Sequence, residues 1–91
     1  MTTIELIPTL DHCIETTARQ EFKRAVDRYL EMGSSDTRLE ARIELLRSFL
    51  ENADFKRLRS ESEKHLMKGE RVVFLLWEEG GKPRHEMRVE P

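Results

Sequence analysis

Apolar residues recur at Leu10, Cys13, Ile14, Ala18, Phe22, Ala25, Val26, Tyr29 and Leu30. This is the i, i+3, i+4 spacing that gathers side chains on one helical face, and it predicts a first helix over residues 9–33. Thr9 or Asp11 is placed to cap its start, and Gly33 to take the left-handed conformation that ends it. On the polar side Glu15 with Arg19, and Lys23 with Asp27, stand one turn apart as on a solvated face.

Ser34, Ser35 and Asp36 form a turn and a source of caps, and Thr37 and Glu40 have the spacing of a capping box. A second helix is predicted over 36–53, with Leu39, Ile43, Leu46, Leu50 and Ala53 as its main stripe. Leu45 and Phe49 widen that stripe toward a second neighbour. Asp54 then offers a new N-cap, so a third helix over 54–69 follows almost without a linker. Its stripe is thin, made of Phe55, Leu58, Ser62 and Leu66, and Gly69 is its natural stop.

The run Val72-Val73-Phe74-Leu75-Leu76-Trp77 is β-branched and aromatic and is bounded by glycines, the pattern of a strand. A two-residue Gly80-Gly81 turn makes residues 70–90 a hairpin that pairs Glu79 with Lys82, Leu76 with His85, Phe74 with Met87 and Val72 with Val89. Pro83 then falls at a position whose main chain points away from the partner strand, where a missing N–H costs nothing. That placement predicts an edge strand, so any third strand must join beside Val72–Trp77. Residues 2–7, rich in Thr and Ile and ended by Pro8, are the candidate, within an arm or strand over 1–8. The expected fold is therefore α+β: three amphipathic helices followed by a C-terminal antiparallel β-hairpin, with an N-terminal third strand in reserve, all in one domain over 1–91.

Composition narrows the class. The chain has 91 residues, of which 37% are charged and 37% hydrophobic, and a formal net charge of −2. No apolar run approaches the roughly 20 residues that span a bilayer, and the N-terminus lacks the basic and apolar regions of a leader, so the expectation is a cytoplasmic protein with no membrane contact. A single cysteine, Cys13, cannot staple the fold internally, which fits a reducing compartment.

Candidate chemistry is sparse. His12 lies beside Asp11 and near Glu15, but no closed zinc spacing is present, and His65 and His85 belong to other elements. Cys13 reads as a small buried hydrophobe rather than a nucleophile, with His12 about 100° away around the helix. His85 is expected on the apolar face opposite Leu76, half-buried. No phosphate loop, nucleophile elbow or metalloprotease helix occurs, so catalytic residues, metal ligands and cofactors are assigned to none of these positions.

Charge is uneven along the chain. Residues up to Phe55 are acidic in balance, whereas Lys56, Arg57, Arg59, Lys64 and Lys68 make the third helix basic. Three helices, a tight turn before the third and a following hairpin resemble the winged helix-turn-helix order, which implies nucleic-acid binding through Lys56, Arg57, Arg59 and Lys64 as the alternative function. Arg57 with Glu61, and Arg59 with Glu63, nevertheless have the spacing of ordinary intrahelical pairs.

The preferred reading comes from the hairpin's other face. Val73, Leu75 and Trp77 alternate with the core residues, and Arg84, Glu86 and Arg88 accompany them from the partner strand. An apolar stripe there calls for cover, either from the same chain or from a partner. The sequence is thus read as a non-catalytic interaction or regulatory module that forms a homodimer, or binds another protein, through Val73, Leu75 and Trp77 with Arg84 and Arg88 at the rim.

Overall fold

The computed structural model describes residues 2–32 and 36–90. The elements run in the order β1 (Thr3–Leu6), α1 (Ile14–Glu31), α2 (Thr37–Asn52), α3 (Phe55–Leu66), β2 (Arg71–Glu79) and β3 (Lys82–Glu90). The fold is α+β, with three helices and a three-stranded antiparallel sheet of order β1-β2-β3. The sheet draws strands from both ends of the chain, so the hairpin does not stand alone after the helices: its first strand is the centre of the sheet.

The register of β2 with β3 pairs Glu79 with Lys82, Leu76 with His85, Phe74 with Met87 and Val72 with Val89. Gly80 and Gly81 both have positive φ, 59° and 80°, the conformation that a two-residue hairpin turn with matching twist demands. β1 lies on the opposite side of β2, with Ile4 across from Leu76 and Leu6 across from Phe74. Alternation therefore sends Ile4, Leu6, Val72, Phe74 and Leu76 to one face. All five are nearly inaccessible, and they join Ile14, Ala18, Ala25, Leu45, Leu46, Phe49 and Leu58 of the helices in one core.

Helix boundaries follow local capping. α1 begins at Ile14, later than the apolar periodicity suggests, because Thr9 and His12 close a turn first. The His12 N–H donates to Thr9 Oγ1 (3.0 Å), and the Thr9 N–H donates to the His12 carbonyl (2.8 Å). Cys13, in extended backbone, is the N-cap of α1 in place of Thr9 or Asp11. Leu10 is left outside the helix and 61% exposed. The expected stop at Gly33 and the turn at Ser34 and Ser35 lie outside the described residues.

α2 is capped by Asp36, whose Oδ1 accepts from the N–H groups of Arg38 and Leu39, rather than by Thr37. Glu40 is thereby freed to accept a hydrogen bond from the Tyr29 hydroxyl of α1 at 2.5 Å. The most buried residues of α2 are Leu45, Leu46 and Phe49. Leu46 belongs to the main stripe and Leu45 and Phe49 to its widening, and all three are buried because α2 packs against α1 and also against β2 and β3.

Asp54 caps α3 by accepting from the Arg57 N–H (3.2 Å). Ser62 is buried on α3, its hydroxyl donating to the Arg59 carbonyl at 3.1 Å, so its small side chain admits close packing without an orphan polar group. Gly69, at φ 81°, ends the element: the Glu70 N–H reaches the His65 carbonyl and the Gly69 N–H reaches that of Leu66, the paired bonds of a Schellman motif.

Candidate interaction surface of the hairpin

The three helices share one side of the sheet with the core, and the other side is built from the alternate positions of all three strands. Its rows are Thr3, Trp77 and Arg84; then Glu5, Leu75 and Glu86; then Val73 and Arg88. Apolar side chains thus occupy the central strand, and polar or charged ones occupy both flanks.

Val73 is only 5% exposed yet does not belong to the core cluster, since its side chain is on the other face of the sheet from Val72 and Phe74. Leu75 and Trp77 are half-buried and likewise stand apart from the core. With Thr3, Glu86 and Arg88 they line a shallow depression of about 280 Å³. The Trp77 indole N–H points to Glu79 Oε2 at 3.5 Å, and Arg88 Nε donates to Glu86 Oε2 at 3.1 Å. Arg84 and Arg88 are exposed at the flank formed by β3.

The structure therefore gathers Val73, Leu75, Trp77, Arg84 and Arg88 on one face. It adds Thr3 and Glu5, which the sequence alone does not assign to a site because it leaves strand formation at the N-terminus open. The available signal is the alternation of Thr3, Ile4, Glu5 and Leu6, which matches a half-buried strand.

The basic residues of α3 lie elsewhere. Lys56, Arg57, Arg59 and Lys64 are all exposed, and two of them are engaged along their own helix: Arg57 with Glu61 at 3.6 Å and Arg59 with Glu63 at 2.9 Å. The Glu63 hydrogen bond is the main reason that the Arg59 guanidinium is held more firmly protonated than usual.

The three histidines are dispersed. His12 is exposed in the turn before α1, His65 Nδ1 meets Glu70 Oε1 at 3.2 Å behind α3, and His85 is on β3. His85 is exposed rather than half-buried, because it sits on an edge strand and covers only one flank of Phe49, edge to face at 5.2 Å. Beside it a cleft of about 200 Å³ opens between the end of α2 and the hairpin, lined by Phe49, Asn52, Leu76 and Pro83 among others. Among the described residues no group of three or more His, Cys, Asp or Glu side chains is arranged to hold a metal ion.

Cys13 is not a core residue. It is half-buried at the N-terminus of α1, its Sγ 3.3 Å from Thr16 Oγ1. That hydrogen bond, joined by the N–H groups of Thr16 and Glu15, lowers the thiol pKa from its ordinary value, against the opposing effect of burial.

No helix among the described residues is long and apolar enough to cross a membrane. No curated protein and no solved structure matches the chain. One protein-family model does, over residues 2–86, a span that takes in β1, all three helices, β2 and the first half of β3. The chain therefore belongs to that family.

Proposed function

We propose that this chain is a small non-catalytic, cytoplasmic interaction or regulatory module that self-associates through its β-hairpin. The observation that carries the reading is the asymmetry of the sheet: among the described residues the helices share one face with the core, and Val73, Leu75 and Trp77 stand on the opposite face, outside that core. A tryptophan framed by aliphatic side chains and arginines is the composition found at the centres of protein interfaces, where aromatic anchors supply contact area at low entropic cost and guanidinium groups tolerate partial desolvation. Leu75 and Trp77 are already partly shielded, so each adds less on association than the roughly 1.5–3 kcal/mol of a fully buried large side chain. The contact is then of the weak, reversible kind suited to a regulatory dimer.

The test is Trp77→Asp, followed by sedimentation and circular dichroism. The reading expects a folded chain of half the native mass. Loss of the fold would make the stripe part of the intramolecular core and sink the proposal.

A further inference from the structure

The free edge of β3 complements itself in one central register. Glu79 and Lys82 flank the two-residue turn and bond to each other, so the main-chain groups of Lys82, Arg84, Glu86, Arg88 and Glu90 turn toward β2. Those of His85, Met87 and Val89 point to the open edge, beyond which this chain places no strand among the described residues. Pro83 lacks an outward N–H and so guards only the turn end. The rest of this nine-residue strand is an unprotected template for pairing.

A second β3 laid antiparallel about a two-fold axis at Met87 pairs Met87 with the partner's Met87, and His85 with the partner's Val89, all through outward-facing groups. The positions between them then oppose Glu86 to the partner's Arg88 and Arg84 to the partner's Glu90, each repeated by symmetry. These are non-hydrogen-bonded pairs, in which side chains approach most closely. A slide of two residues one way sets Arg84 against the partner's Arg88 and Glu86 against the partner's Glu86. The same slide the other way opposes Arg88 to the partner's Arg88 and Glu86 to the partner's Glu90. A slip of one residue opposes inward-facing amides to outward-facing ones. Alternating charge on the strand thus selects the Met87-centred register over its neighbours.

We infer that the β3 edge pairs with the β3 edge of a second copy of this chain, joining two three-stranded sheets into one continuous antiparallel sheet. The inference rests on the proposal that the hairpin is the element of self-association, and it adds a contact distinct from the apolar face. In the joined sheet the two Val73–Leu75–Trp77 stripes lie on the same side and form one wider surface.

Two charge variants of the full chain test it. Arg84→Glu with Arg88→Glu makes the edge uniformly acidic, and Glu86→Arg with Glu90→Arg makes it uniformly basic. The substituted side chains are exposed, and the intrachain ion pairs that the substitutions break, Arg88 with Glu86 and Arg71 with Glu90, lie on the surface and carry little energy. The edge and the apolar face are separate contacts, so sedimentation is expected to show edge-paired dimers that associate further through their faces, and Trp77→Asp removes only that second step. Each variant alone should dissociate about tenfold or more readily, and an equimolar mixture should restore the dimer as a heterodimer with every pair again opposite in sign.

Variants that stay dimeric alone, or a mixture that fails to reassociate, would overturn edge pairing. If Trp77→Asp dissociates the dimer while the charge variants do not, the outer face alone holds the copies together and the self-association proposal survives without the edge. A native chain that remains monomeric at on the order of 100 µM overturns both.

Discussion

Val72 and Val73 are consecutive on β2 and both closed to solvent, at 0% and 5% exposure, but they face opposite sides of the sheet and only Val72 touches the core. Val→Thr keeps the shape and adds a hydroxyl, so it reports on surroundings rather than on size. At position 72 that hydroxyl enters an apolar interior and is expected to cost about 1–3 kcal/mol. At position 73 the hydroxyl lies across from Arg88 on the outer face, a polar partner for it, and the cost should stay below about 1 kcal/mol. Urea unfolding of the two variants measures the difference, and equal losses would mean that the outer face is as dry as the core.

Asp36 and Asp54 start α2 and α3 by accepting main-chain hydrogen bonds. Each is expected to contribute about 1 kcal/mol, the usual value of an N-cap, so Asp36→Ala and Asp54→Ala should each lower stability by that amount. Asn at either position should restore most of it, since the amide oxygen accepts the same bonds. Thermal unfolding of the four variants provides the check; Asn variants no better than Ala would assign the effect to charge near the helix dipole rather than to capping.

The hairpin is the most legible part of the chain because three independent constraints agree on one register: the Gly-Gly turn, the shared apolar face and the place of Pro83. β1 is less so. Four residues carry too little pattern to separate a strand from an arm, and its pairing with β2 spans most of the chain. Periodicity misplaces the start of α1 because Leu10 and Cys13 satisfy helical spacing, whereas the Thr9–His12 turn that excludes them is a local hydrogen-bonding choice invisible to that pattern. His85 departs from its expected half-burial because register fixes the face of a residue but not how far the neighbouring helix reaches over an edge strand. The outer face can be written down from alternation alone. Which face the helices join cannot, since that depends on where three helices pack.

Gly80 and Gly81 divide the turn unequally in what they tolerate. Gly80, at φ 59°, is close to the left-handed minimum that Asn also visits, and a side chain there meets open space. Gly80→Asn is therefore expected to be neutral or to stabilise by up to about 1 kcal/mol, through the smaller entropy of the unfolded chain. Gly81→Val places a β-branched residue at φ 80° and should cost about 1–2 kcal/mol. Opposite signs in chemical denaturation would confirm that the turn, and not contact with its surroundings, sets the requirement for glycine.

The Thr16 hydrogen bond that lowers the Cys13 thiol pKa makes a kinetic prediction and a thermodynamic one. Alkylation by iodoacetamide requires thiolate, so its rate–pH profile should have a midpoint below the ordinary value of 9.0. Thr16→Val removes the hydroxyl donor and should move that midpoint upward. Since the folded state favours the thiolate, the linked stabilisation is fully present above the unfolded thiol's pKa and fades as pH falls through the lowered folded value. The native chain should therefore gain stability relative to Cys13→Ser as pH rises through the window just below 9.0, and the Thr16→Val chain should gain less. A midpoint unchanged by Thr16→Val would show that the amides at the start of α1, rather than the threonine, stabilise the thiolate.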